Sequence, residues 1–85
     1  MSRTEEIRSA LETVFSPQRL EVIDESEQHR GHAGYSDGGE SHFRVIIRSH
    51  QFAPMTRLQR HRAIHAALGP QLIGRIHALA LDVTG

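Results

Sequence analysis

The sequence predicts an α+β domain in which a three-stranded sheet carries its helices on one face. Two segments repeat apolar residues every three to four positions, the period of a helix with one buried side, and three others are short β-rich or alternating runs. Breaks bearing glycine or proline separate them in the order αββαβ, and helices layered on one side of a sheet is the simplest arrangement that buries every apolar stripe. At 85 residues the chain is one domain over 1–85, of a size that removes only about 60–65% of its unfolded surface from water. Little stability is spare.

The first helix is expected over about residues 3–15. Ser2-Arg3-Thr4-Glu5 fits a capping box, and Ile7, Ala10, Leu11, Val14 and Phe15 form the stripe that Ser16-Pro17 ends. Leu20 to Asp24 is the first strand. The second runs from Ser41 to Ser49, with Phe43, Val45 and Ile47 on one face and His42, Arg44 and Arg48 on the other. Between them, residues 29–39 contain four glycines, which oppose regular structure but permit close backbone approach to a ligand or partner. The second helix is expected from Thr56 to Leu68, with Leu58, His61, Ile64, His65 and Leu68 on one stripe and Gly69-Pro70 as its end. Arg75 to Val83 reads as the third strand, with His77, Leu79, Leu81 and Val83 sharing a face.

Composition excludes several functions. There is no cysteine, so this chain alone supplies no disulfide, thiolate metal site or thiol nucleophile. Its formal charge is zero, which provides no domain-wide field to attract nucleic acid or anionic lipid. No apolar run approaches the ~18 residues of a membrane span, and the acidic N-terminal stretch fits neither a signal nor a transit peptide, so a cytoplasmic protein without membrane association is expected. No Ser/His/Asp constellation, phosphate loop or dinucleotide fingerprint is present, and no enzymatic activity is expected. Glu25 and Glu40 read as surface carboxylates. Histidine stands out, with seven copies at 29, 32, 42, 50, 61, 65 and 77.

Three segments together, Glu40-Ser41-His42-Phe43-Arg44-Val45, Arg60-His61-Arg62 and Ile76-His77-Ala78-Leu79-Ala80-Leu81, resemble the BolA family. With Asp24-Glu25-Ser26 closing the first strand, the resemblance extends over nearly the whole chain. It implies a class II KH-like αββαβ fold. Many members carry a further C-terminal helix, expected to be absent or truncated after Val83-Thr84-Gly85.

The resemblance also implies two iron ligands. One is a histidine in the Ala-Leu-rich strand, which maps onto His77; the other is a histidine or cysteine in the loop after the first strand, for which His29 is preferred and His32 is the alternative. Two imidazoles do not close a tetrahedral site, so the remaining ligands must come from outside. A monothiol glutaredoxin with bound glutathione offers two sulfurs, and the implied role is an adaptor sharing or transferring a [2Fe–2S] cluster in iron–sulfur maturation or iron homeostasis. The isolated chain, a monomer or weak homodimer, is expected to hold no cluster.

The family equally implies an alternative, a KH-like DNA-binding transcriptional regulator of stress response and cell morphology. For it Arg57, Arg60 and Arg62 are the candidate phosphate contacts, with Arg44 and Arg48 on a strand face. Such arginines are more often a solvated face. Gly31-His32-Ala33-Gly34 matches the GxxG pattern of KH loops, yet it lies between strands instead of between helices, where that loop works. His61 and His65 are four apart on a helix, a metal-clasping spacing, but the stripe they share with Ile64 predicts that they pack inward. His42 and His50 are expected to face solvent.

Overall fold

The computed structural model describes residues 2–25 and 42–85. Its first helix, α1, spans Arg3–Phe15. Ser2 is extended and its hydroxyl accepts from the Glu5 N–H at 3.2 Å, while Glu5 and Glu6 place negative charge against the helix N-terminus. Ile7, Leu11 and Phe15, at four-residue spacing, are buried, whereas Val14 is 46% exposed. At the other end Ser16 turns left-handed, φ 43°, and its N–H closes on the Glu12 carbonyl.

Strand β1 (Arg19–Asp24) pairs antiparallel with β2 (His42–Arg48), from Arg19 opposite Arg48 to Asp24 opposite Phe43. Strand β3 (Ala78–Thr84) pairs parallel with β2, from His42 opposite Ala78 to Arg48 opposite Thr84. The mixed sheet therefore has the order β1-β2-β3 with β2 central. Alternation sends Val22, Phe43, Val45 and Ile47 into the core, where Leu79, Leu81 and Val83 pack beside them. Against this face lie the α1 stripe and Phe52, whose ring sits 4.6 Å from that of Phe15.

A single 3₁₀ turn, His50–Phe52, follows β2. Ser49, 2% exposed, organises it: the hydroxyl donates to the Phe15 carbonyl at 2.9 Å and accepts from the Gln51 N–H at 3.3 Å. A buried polar group is thus fully used, and it ties the end of α1 to the end of the central strand. His50 is exposed, as its position on the strand flank suggested, and its ring meets the Gln18 side chain.

Helix α2 (Arg57–Leu68) starts with a capping box in which the Gln59 N–H donates to Thr56 Oγ1 at 3.1 Å and the Thr56 N–H donates to Gln59 Oε1 at 2.9 Å. Its buried residues are Ile64 and Leu68. The expected stripe needs correcting, because Leu58 is 59% exposed, His65 is exposed and His61 is only partly covered. The core-facing column is instead occupied at its first turn by Arg60. The guanidinium Nε donates to the carbonyls of Phe52 (3.0 Å) and Met55 (3.2 Å), and Nη1 donates to that of Val83 (3.1 Å). An arginine stem covers apolar surface while its head finds polar partners, so a hydropathy stripe misassigns such a helix.

Gly69-Pro70 ends α2, but it also begins a short helix, α3 (Pro70–Gly74), with proline at its first turn and Leu72 buried. This helix fills the interval between the expected second helix and third strand. The third strand accordingly starts at Ala78 and not at Arg75.

Candidate functional site

Residues 75–77 carry the chain from α3 into β3. The Arg75 and Ile76 N–H groups close on the carbonyls of Leu72 (3.0 Å) and Ile73 (3.1 Å), and Arg75 Nη2 donates to Glu6 Oε1 at 2.9 Å. That ion pair fixes the turn to α1 and holds the Glu6 carboxyl below its usual pKa, chiefly through the hydrogen bond from Arg75. His77 leaves this turn as an exposed residue immediately before β3.

The His77 ring lies against a second imidazole. Its centroid is 4.9 Å from that of His42, with the planes tilted by 53°. His42 opens β2, stands opposite Ala78, and accepts at its carbonyl from the Glu25 N–H at 2.8 Å. Far from facing solvent, it is 5% exposed, which corrects the expectation from strand alternation. Alternation assigns a side chain to a face; it says nothing of what covers that face. Glu25, expected at the surface, is also largely covered, with its side chain 16% exposed and accepting from Arg44 at 3.1 Å.

Beside His77 is a cavity of about 200 Å³ lined by Ile73, Ile76, Leu79 and His65. The structure thus gathers His77, His42 and His65 at one end of the sheet. Among the described residues no group of three or more His, Cys, Asp or Glu side chains is placed to hold a metal ion. His29, His32 and Glu40 lie outside the described residues, as does the Gly31–Gly34 segment.

The candidate phosphate-binding arginines divide. A cleft of about 610 Å³ along β3 is lined by Arg44, Arg57, Arg60 and His61, with Asp82 placing a carboxylate among them. Arg44 pairs with Glu25 and Arg60 binds backbone carbonyls. Arg57 lines the cleft as an exposed residue, and Arg62 is exposed outside that lining. No helix among the described residues is long and apolar enough to cross a membrane.

Comparison with known proteins places this arrangement. The family model described as BolA-like protein matches residues 11–85. An uncharacterized protein from the cobS 5′ region of Sinorhizobium is 53% identical over 83 residues, covering 96% of this chain and 89% of that one. The DNA-binding transcriptional regulator BolA of Escherichia coli is 43% identical over 77 residues, covering 91% of this chain and 70% of that one. Among solved structures, the BolA domain of SufE1 from Arabidopsis thaliana superposes with a TM-score of 0.83 at 38% identity, over 99% of this chain and 92% of that one. The chain spans about half, 53%, of the mammalian BolA-like proteins 1 that it matches. Strand order, the Ala-Leu-rich β3 with His77 before it, and the match from Leu11 to Gly85 converge: the chain belongs to the BolA family.

Proposed function

We propose that this chain is an adaptor that docks on a monothiol glutaredoxin and shares or transfers a [2Fe–2S] cluster held with that partner and its glutathione, in iron–sulfur maturation or iron homeostasis. The observation that carries the reading is His77, an exposed imidazole on a backbone turn fixed at both ends and backed by a second ring, in a chain without any thiolate. Imidazole nitrogen suits iron, and a histidine pair combined with two sulfurs raises a cluster's potential relative to four thiolates. The donor set therefore fits a shared cluster and leaves a self-contained one short of ligands. In this reading His77 presents one ring nitrogen to the partner and His29 or His32 supplies the second, with Ile73, Ile76 and Leu79 lining the cavity beside His77. No catalytic step is assigned to the chain itself.

The test is to add the purified chain to a cluster-loaded monothiol glutaredoxin and follow the visible circular dichroism. A new spectrum is expected; an unchanged one refutes the reading. Reconstitution of a stable, coloured cluster on the isolated chain would equally refute the sharing mechanism.

A second reading, DNA binding by a transcriptional regulator, is favoured by the name of the Escherichia coli relative and by the arginines along the β3 cleft. Its signature is salt dependence, since log affinity falls with log salt by about 0.9 for every phosphate neutralised on B-DNA. A flat salt profile rejects it.

A further inference from the structure

We propose that His42 is a positioning residue for His77: ring against ring, it holds the His77 imidazole in the single orientation from which a nitrogen meets the partner's cluster. The inference rests on the reading of His77 as a ligand, and it adds a residue that the alternation of β2 had assigned to solvent.

An exposed histidine at a turn rotates among staggered side-chain wells in picoseconds to nanoseconds. A nitrogen that binds metal must arrive from one direction, and the group that touches the ring from behind is what sets that direction. In this structure the ring behind His77 is His42, with centroids 4.9 Å apart and a tilt of 53°, inside the range of tilted aromatic pairs. The two rings are not equivalent. His42 is 5% exposed and belongs to the central strand, bound by β3 on one side and through its carbonyl to Glu25 on the other. His77 is exposed and precedes the first paired residue of β3. One ring is a wall and the other is the movable part. The residue opposite His42 across the ladder is Ala78, the immediate sequence neighbour of His77, so the register itself brings position 77 beside His42. His77 also lines a cavity of about 200 Å³, which leaves its ring space to turn, and among the described residues His42 is the aromatic ring set against it.

The experiment has two arms. In the isolated protein, three-bond couplings about His77 χ1 and its ring nitrogen shifts are measured for wild type, His42→Ala, His42→Val and His42→Phe. A single rotamer is expected in wild type and in the phenylalanine variant, which keeps a ring at 42. Averaged couplings are expected in the alanine variant, or in the valine variant if alanine does not fold. In the second arm each protein is mixed with cluster-loaded monothiol glutaredoxin and cluster loss to a chelator is timed. Loss is expected to quicken about tenfold for Ala or Val, the lower end of what removing an outer-shell partner costs a metal site, and to stay near wild type for Phe.

Unchanged His77 couplings in the Ala or Val variant overturn the proposal. So does a phenylalanine variant that loses the cluster as fast as alanine, since His42 would then act as a ligand itself. Failure of the shared-cluster reading is separate: it appears as a wild-type complex whose spectrum His77→Ala leaves unchanged, while the couplings still decide whether His42 orients His77.

Discussion

Replacing Arg60 by methionine keeps the apolar stem on the core and removes the guanidinium that links three backbone carbonyls, so it isolates the worth of those contacts. Two donor groups are lost, Nε shared between Phe52 and Met55 and Nη1 on Val83, at 3.0–3.2 Å. A hydrogen bond from a charged group contributes about 1.5–3 kcal/mol when buried. These are only partly buried, and freed carbonyls at the cleft can be hydrated, so roughly half of that is expected, about 2 kcal/mol in all. For a domain of this size 1 kcal/mol moves Tm by about 4–8 °C, which puts the variant some 8–16 °C below wild type. Arg60→Lys should fall between them, because an ammonium cannot reproduce the planar fork. The assay is thermal unfolding followed by far-ultraviolet circular dichroism, with DNA affinity measured in parallel on the folded variants. An unchanged Tm combined with weakened DNA binding would refute the argument and return Arg60 to the role of a phosphate contact.

His77→Ala should leave the stability within about 0.5 kcal/mol of wild type, as expected of an exposed residue, while altering the visible dichroism of the glutaredoxin mixture; an identical spectrum counts against ligation. Ile64→Ala, at a fully buried position, should cost about 2–5 kcal/mol, whereas His61→Ala on the same helix should cost less than about 1 kcal/mol; equal losses in urea unfolding would mean that the packing of α2 has been misassigned. Glu6→Gln tests the Arg75 ion pair through pH. The folded carboxyl lies below its unfolded value, so its stabilisation is complete above the ordinary carboxylate range and disappears as pH falls through the lowered value. Wild type should therefore exceed the glutamine variant at neutral pH and converge with it in acid, and parallel Tm curves across that range would contradict the assignment.

The sheet was legible because its signals are local. Phe43, Val45 and Ile47 alternate, and Ile7, Leu11 and Phe15 repeat at helical spacing, so β2 and α1 declare their buried sides without reference to the rest of the chain. On α2 the same logic failed. Leu58 resembles a core anchor and Arg60 a surface residue, yet the carbonyls of Phe52, Met55 and Val83 converge where an arginine can serve them, a fact of tertiary placement alone. Gly69-Pro70 carries two meanings, the end of one helix and the start of another, and only the burial of Leu72 selects the second. His77 was singled out through the motif around it, and the structure leaves it exposed. His42 sits in an equally visible segment, but its burial depends on neighbours that no periodicity reports.

The parallel pairing of β3 on β2 bears on how the domain is made. A growing chain completes α1, β1 and β2 early, and these form one antiparallel pair with a helix beside it. The second edge of β2 stays bare until α2 and α3 have been synthesised and residues 78–84 have left the ribosome, since a parallel neighbour is reached only by a crossover connection. During that interval Phe43, Val45 and Ile47 lack the Leu79, Leu81 and Val83 that pack beside them, and an open strand edge is a template for pairing with other chains. The same late strand follows directly on His77. The position of His77 is therefore fixed only once β3 pairs with β2, so a chain still being synthesised has not yet brought the His77 ring against that of His42.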